Sequence, residues 1–415
     1  SRMTAPLRTD ALAGRRTFIK TAAAAGVVLA GWKPTLGRGG VLQKLNVASI
    51  GVGGMGASDL AQIASHPEVV ITGLCDTDAN NLGKAGNLHP DARKFADGRE
   101  MFAVMGDEFD AVSITTPDHM HAIYAMMAMN EGKHVYCQKP LAWSVHENRA
   151  LAMAAAANPD LATQMGTQNA SRPMKQRCMK FIKDGNLGKI KEIHAWSDRP
   201  IWPQGMKVRP AKADIPKGLD WDNWLGPAPF REYGKGYVPF AWRGWWDFGT
   251  GALGDMACHI MDMAWWSLEL RAPSSVKAQH GGNSVESAPK WAVIDYQFGY
   301  RGKRPPVKLV WYDGMKNGLQ NGPSLETTDG VKMVKKGKGA FGSVLIGDKG
   351  RMFFNRRSTE WLITGRDEDE VKQIEAETEK SIPRTKDNYA EWVDAATGTK
   401  AFQPCDRMPE RSALM

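Results

Sequence analysis

The sequence predicts an α/β chain in two parts, a Rossmann-type doubly wound parallel sheet followed by an α/β domain on an open, mainly antiparallel sheet. Three observations predict it. An apolar run, Val47 to Ile50, leads directly into Gly51, Gly53 and Gly56. From Leu45 to about residue 165, strand-like and helix-like segments alternate at the spacing of βαβ units. Beyond residue 270 the pattern changes to short alternating runs at 275–280, 291–298, 306–312, 341–346 and 351–354.

The chain opens with a segment that stands apart from the fold. Residues 14–31, GRRTFIKTAAAAGVVLAG, place two arginines before a short alanine-rich apolar stretch. This is the twin-arginine export pattern. Residues 1–40 are therefore set aside as leader and linker, with Pro34 and several glycines marking the linker. The apolar stretch is too short for a comfortable transmembrane helix. A periplasmic location is expected, with membrane anchoring if the leader is retained.

The first domain is expected over residues 41–166. Its opening strand ends in G-x-G-x-x-G, the glycine pattern of a Rossmann dinucleotide site when it lies between strand and helix. Gly51 lets the chain turn, Gly53 lets backbone approach a pyrophosphate, and Gly56 lets the helix pack close to the strand. The helix at 55–65 then aims free N–H groups at phosphate oxygens. Gly54 and Met55 complete this cofactor loop. A second strand, 69–76, ends in Asp76, 20 residues after Gly56. An acid there can hold the adenosine ribose hydroxyls and repels a 2′-phosphate, which favours NAD over NADP. Helices at 78–86 and 98–107, a strand at 110–115, a helix at 119–131, a strand at 133–140, a helix at 144–157 and a strand at 161–165 complete the alternation. Ligands collect at the carboxyl ends of such strands, so the loops 115–119 and 138–140 mark the ligand edge.

The second domain is expected over residues 167–415. A helix at 171–184 stops at Gly185-Asn186-Leu187-Gly188, and 190–198 reads as a strand. Residues 200–247 are rich in Pro, Gly and Trp. A helix over 252–268, the alternating runs and a helix at 385–397 follow.

Composition narrows the function classes. The chain is 42% hydrophobic and 24% charged, as ordinary globular proteins are. Of the +9 formal charge, residues 1–40 supply +6, from seven basic residues and one acid. The +3 left on the remainder is no nucleic-acid footprint. Five cysteines, none in C-x-x-C spacing, give neither a disulfide framework nor a metal set, and most are expected as small buried hydrophobes.

Chemistry-bearing residues fall in two places. Lys139 closes a predicted strand at the ligand edge, where partial desolvation suits a lysine to acid–base work. Asp255 and His259 are four apart in GTGALGDMACHIMD, residues 249–262, and share a helix face. A carboxylate paired with an imidazole can orient and move a proton. Gly249, Gly251 and Gly254 are read as letting backbone crowd a ligand.

Taken together, the glycine loop, Asp76, TTPDHMHA at 115–122, VYCQKPLA at 135–142 and GDMACHIMD at 254–262 resemble the glucose–fructose oxidoreductase / inositol dehydrogenase (Gfo/Idh/MocA) family, and most of all its twin-arginine-exported bacterial branch. The resemblance covers residues 45–400. It implies a Rossmann domain with tightly held NAD(H) or NADP(H), and oxidation of a hydroxyl on a sugar, cyclitol or glycoside. It assigns the catalytic group to Lys139, Asp255 and His259. It places Thr116, Pro117, His121, Gln138 and Lys139 beside the cofactor, and it implies a homo-oligomer. One departure is visible. The family carries Glu before the lysine, whereas this chain has Gln138, which keeps hydrogen bonding but removes a charge.

Fifteen tryptophans is a high number. Trp196, Trp202, Trp221, Trp224, Trp242, Trp245 and Trp246 lie in or beside the loop-rich region before Asp255. Aromatic faces suit the C–H face of a pyranose and equally suit a core. Trp242 and Trp245, with Asp255 and His259, are the substrate-side expectation. Arg199, Arg209 and Arg243 could bind an acidic sugar or stand as solvated surface. Two other readings remain: a redox-neutral glycoside hydrolase or lyase using bound NAD transiently through oxidation and elimination, and a non-catalytic NAD-binding sensor.

Overall fold

The computed structural model describes residues 44–331, 342–355, 361–380 and 386–399. The twin-arginine segment and Cys405 lie outside the described residues. Among the described residues, no helix is long and apolar enough to cross a membrane.

The first domain is the expected doubly wound sheet. Strands β1 (Leu45–Ile50), β2 (Val69–Cys75), β3 (Arg93–Phe95), β4 (Ala111–Ile114), β5 (His134–Gln138) and β6 (Thr163–Gly166) lie in the order β3-β2-β1-β4-β5-β6. Every neighbouring pair is parallel. Helices Met55–Ala64, Ala79–Leu88, Gly98–Met105, Asp118–Asn130 and Val145–Ala157 connect them. Central strands buried on both faces explain the near-continuous apolar runs; all four residues of β4 are buried. The strand order reverses between β1 and β4, which makes their carboxyl ends the ligand crevice. β3 was not read from the sequence. It has three residues, two of them exposed, and so leaves no apolar signature.

The second domain is a mixed, mainly antiparallel sheet. β7 (Ile190–Trp196), β8 (Ser275–Gly281), β9 (Trp291–Phe298), β10 (Val307–Lys316), β11 (Leu319–Gln320), β12 (Gly342–Gly347), β13 (Gly350–Asn355) and β14 (Trp361–Thr364) run β14-β13-β12-β7-β10-β9-β8, with β11 on β10. Among the described residues, only the β7/β10 pairing of this sheet is parallel. The helix expected over 252–268 is two helices, Gly251–Ile260 and Asp262–Ser267, with Met261 between them. Beyond the break, Asp262 pairs with Lys175 of helix Pro173–Lys183, both side chains fully buried. A short helix, Trp221–Leu225, is capped by Asp220, which accepts from the Asn223 N–H. Five residues inside a loop-rich stretch carry no period that could announce it. Helix Glu368–Lys380 also went unread.

The chain then returns to its beginning. Helix Asn388–Ala396, capped by Asp387, packs on the first domain rather than the second. Tyr389, Trp392 and Val393 share one core with Leu45, Val47, Leu60 and Ile63. Trp392 Nε1 donates to the Ala162 carbonyl at 3.1 Å. A division at residue 166 therefore misplaces this helix, whose apolar stripe gives no hint of which domain it covers. Truncating the fully buried Trp392 to Ala is expected to cost about 3–5 kcal/mol of stability, read as a lowered denaturation midpoint in urea. A change under roughly 1 kcal/mol would show that the helix is not part of the first domain's core.

Candidate active site

The glycine loop has the shape a pyrophosphate needs. Gly51 adopts a φ of +78°, and a Cβ there would lie 2.4 Å from the Thr115 carbonyl oxygen. A Cβ on Gly56 would lie 1.8 Å from the Gly51 oxygen, so the helix can sit this close only because both are glycine. Gly54, at φ +54°, faces open space. No side chain caps helix Met55–Ala64, and its first turn holds no acid. The positive helix end and its free N–H groups are thus left for an anion. Met55 is exposed beside them.

Asp76 closes this cradle. Its Oδ2 accepts from the N–H groups of Val52 (2.9 Å) and Gly53 (3.1 Å), and Oδ1 accepts from the Asp78 N–H (2.8 Å). Burial raises its pKa, and the bonds from Asp78 and Val52 pull it back. The Asn81 side chain also bonds this carboxylate, so a ribose hydroxyl would reach it in place of Asn81. The cradle, the open helix end and this acceptor together fit an NAD.

Across the switch point, Thr116, Pro117, Gln138 and Lys139 line the same cleft, a cavity of about 800 Å³ that runs from the glycine loop to Asp255 and His259. His121 borders it differently from expectation. Its Nδ1 lies 2.6 Å from the Pro140 carbonyl and its Nε2 2.8 Å from the Thr116 carbonyl. Burial lowers its pKa, while Asp118 raises it. His121 is 1% exposed; neutral, it donates to one of these carbonyls only, and both nitrogens face backbone between the loops after β4 and β5 rather than a ligand.

Lys139 meets the second domain directly. Its Nζ donates to Asp255 Oδ1 at 2.6 Å and to the Asp255 carbonyl at 2.9 Å, with both side chains nearly buried. Arg243 stands 3.5 Å from Asp255 Oδ1 and 3.7 Å from Asp118 Oδ1, and Arg199 stands 3.9 Å from Asp255 Oδ2. Burial alone would raise the Asp255 pKa. Lys139, Arg243 and His259 outweigh it and hold the carboxyl well below its ordinary 3.8. Helix Gly251–Ile260 is continuous through Asp255 and His259, so both present the same face, as their spacing requires. The glycines before them do not crowd a ligand. A Cβ on Gly249 would lie 2.6 Å from Arg243 Cα, and one on Gly254 would lie 1.9 Å from Thr250 Oγ1. They crowd the chain itself.

The tryptophans divide. Trp221, Trp224, Trp242 and Trp245 belong to a buried cluster with Tyr237 and Phe248. Trp245 is 2% exposed, bonds the Gly236 carbonyl and is not among the cleft-lining residues, so it is no substrate platform. Trp242 borders the cleft under the Arg243 guanidinium, 4.4 Å from its ring centre. Trp202 and Trp224 also line the cleft. Trp196 is buried against Val344 and Phe353, and Trp246 bonds the Ser284 carbonyl at the surface. Arg209 pairs with Glu286, away from the cleft.

Several site residues escaped the sequence reading. Asp118 anchors the start of the Asp255 helix, its Oδ2 accepting from Thr250 N (3.1 Å) and Oγ1 (2.7 Å). Ile201 and Phe240 line the mouth while 62% and 47% exposed. Asp59 sits below the floor. Its only sequence signal is its place in the inward-facing register Gly56, Asp59, Leu60, Ile63.

Comparison with known proteins agrees with this architecture. Residues 45–165 match the model of the GFO_IDH_MocA oxidoreductase family's NAD-binding Rossmann fold, and residues 179–303 match that family's C-terminal alpha/beta domain. The first domain is thus an NAD-binding Rossmann domain. A levoglucosan dehydrogenase of Pseudarthrobacter phenanthrenivorans is 25% identical over 54% of this chain and 51% of its own. A glycosyl hydrolase family 109 protein of Saccharopolyspora erythraea is 29% identical over 42% of this chain and 44% of its own. The chain thus spans about half the length of the curated relatives it matches. The WlbA dehydrogenase of Bordetella pertussis, crystallised with NADH and UDP-GlcNAcA, shares the fold, with a TM-score of 0.59 at 17% identity over 90% of this chain and 92% of that one.

Two outcomes follow from the geometry. Asp76→Ser should weaken NAD binding about tenfold or more and erase discrimination against NADP, measured by titration of both cofactors; retained discrimination would remove Asp76 from the ribose. For Asp255, a depressed pKa means stability that is present above the unfolded value and lost as pH falls through the folded one. Asp255→Asn should therefore lower stability by roughly 3–5 kcal/mol at neutral pH, with the gap closing in strong acid as the wild-type carboxyl protonates. A loss under roughly 1 kcal/mol at neutral pH would contradict the assignment.

Proposed function

The chain belongs to the Gfo/Idh/MocA oxidoreductase family, and we propose that it oxidises a hydroxyl of a sugar, cyclitol or glycoside with NAD as its cofactor. The observation that carries this reading is the Lys139–Asp255 contact at the junction of the glycine-loop cleft and the second domain. NAD, when bound, supplies the acceptor for the two electrons of an alcohol oxidation. The rest falls to this chain's side chains.

Asp255 is a fixed anion. It takes two of the three donors of the Lys139 ammonium, leaving the third to reach a substrate oxygen. His259, one helical turn on and lining the same cleft, is placed to accept the hydroxyl proton, with Asp255 stabilising the imidazolium that results. Arg243 lies between Asp255 and Asp118 and offsets the negative charge of both. Trp202 and Trp242 border the cleft largely buried, with Arg243 over the Trp242 ring, and so wall the substrate end. Asp76 supports NAD over NADP.

One feature favours a glycoside over a bare polyol. The exposed apolar lip of Ile201 and Phe240 suits a substrate with an aglycone projecting from the mouth. It equally serves the redox-neutral reading, in which oxidation acidifies a neighbouring C–H, the aglycone is eliminated and the electrons return to the substrate. The twin-arginine leader supports export of the folded protein with its cofactor already held.

Lys139→Ala tests the reading. Turnover of a sugar and glycoside panel, followed by reduced-nicotinamide absorbance with NAD and by aglycone release without added cofactor, should drop about 10²–10⁴-fold. NAD binding, followed by fluorescence, should persist. Unchanged turnover would sink the role of Lys139. Aglycone release from the parent protein without added cofactor selects the redox-neutral route, and net reduced nicotinamide selects the dehydrogenase.

A further inference from the structure

A second carboxylate lies beneath the Lys139 loop, and the reaction above does not use it. Asp59 is 1% exposed, on the inner face of the glycine-loop helix. Its Oδ2 accepts from Thr115 Oγ1 at 2.8 Å and from Gln138 Nε2 at 2.9 Å, and its Oδ1 accepts from the Tyr389 hydroxyl at 2.8 Å. The donors arrive from the end of β4, the end of β5 and the C-terminal helix, a residue 330 positions away. The far end of the Gln138 amide orients it, since Oε1 accepts from the Lys139 N–H at 3.3 Å. The amide nitrogen must then face Asp59. A buried anion is thus connected through one neutral amide to the peptide nitrogen of Lys139.

This arrangement dictates what position 138 can be. A glutamate there would set two carboxylate oxygens against each other in a site with no cation between them. Tyr389 is the titratable group facing Asp59, kept neutral because burial drives its phenol up; Thr115, Gln138 and Gln168 are neutral, and Lys139 turns its ammonium to Asp255. Burial raises the Asp59 pKa, and the bonds from Tyr389, Thr115 and Gln138 draw it back.

We propose that Asp59 is the positioning residue of the Lys139 loop: it holds the negative charge that position 138 lacks, and through Gln138 it sets where Lys139 stands relative to Asp255. The catalytic half of this inference rests on the proposed oxidoreductase reading, and the structural half does not.

A charge swap tests it. Gln138→Glu alone forces the two carboxylates to share a proton. Their paired pKa is then raised, so the variant approaches wild-type stability in acid and loses it as pH rises. Its melting temperature, compared with wild type from about pH 5 to 9, should fall progressively. Asp59→Asn alone can still offer an amide oxygen to Gln138 Nε2, but it removes the anion and turns an NH2 toward the Tyr389 hydroxyl, and it should lower the melting temperature at every pH. Asp59→Asn combined with Gln138→Glu restores one donor and one anion with the charge moved, and its melting temperature should run parallel to wild type. In the turnover assay, each single variant should lose kcat roughly tenfold or more at neutral pH, Asp59→Asn with little change in NAD affinity, and the double variant should regain most of the kcat. A double variant that melts no higher than the worse single one overturns the proposal. So does a Gln138→Glu variant with wild-type stability at high pH. Restored melting without restored kcat would leave Asp59 a purely structural residue and overturn the positioning role. Should wild type turn over no sugar, the oxidoreductase reading fails, while the order of melting temperatures still decides the charge swap.

Discussion

The contact between Lys139 Nζ and Asp255 is the hinge on which the site depends. Lys139 ends a strand of the parallel sheet, and Asp255 belongs to a helix lying on the antiparallel one. A short, nearly buried ion pair between the two domains fixes the cofactor edge against the substrate edge. Such a pair gives little net stability, because desolvation offsets attraction. It does fix relative position, since breaking it strands a charge. Arg243 and Arg199 gather on the same carboxylate, and Asp118 reaches back through Thr250 to the start of that helix. The active-site helix is held at its first turn by one domain's loop and met one turn later by that domain's lysine.

Below this contact, the first domain is organised by a second anion. Asp59 gathers Thr115, Gln138 and Tyr389, and the stacked rings of Tyr136 and Tyr389 lie beside it. The C-terminal helix therefore reaches the underside of the chemistry while the catalytic helix reaches its top. This accounts for a chain that crosses into a second domain and then returns to complete the first. The departure at Gln138 becomes intelligible in this setting. The negative charge is present, one layer deeper and on a different element.

The parts of this structure legible in the sequence were those governed by local rules. Gly51 and Gly56 are demanded by backbone conformation and close approach over a few residues, whereas the space a Cβ on Gly53 would take is filled by the Asn81 side chain. The βαβ alternation is a periodicity, and Asp255 and His259 meet through the helical repeat alone. The illegible parts depend on tertiary company. An aromatic side chain reads the same in a core as on a sugar platform, so Trp245 could be placed only by its neighbours. Asp59 sits in an apolar helical register, where a lone acid looks like an interruption until its donors, from distant segments, are known. His121 adjoins the cofactor loop in sequence, yet both nitrogens of its ring face backbone carbonyls. Arg243 becomes an active-site cation only because the Trp-rich loop folds over Trp242. The short elements β3, β11 and Trp221–Leu225 hold too few residues to show any period.

The account stands on Lys139 facing both the bound cofactor and Asp255 from one rim. A crystal structure of the NAD-loaded protein tests this most directly. It should show the pyrophosphate on the glycine loop, Lys139 Nζ still within hydrogen-bond distance of Asp255, and the nicotinamide in the cleft beside that pair. NAD bound elsewhere, or Lys139 turned to solvent with Asp255 closed over by Arg243 and Arg199 alone, would contradict it.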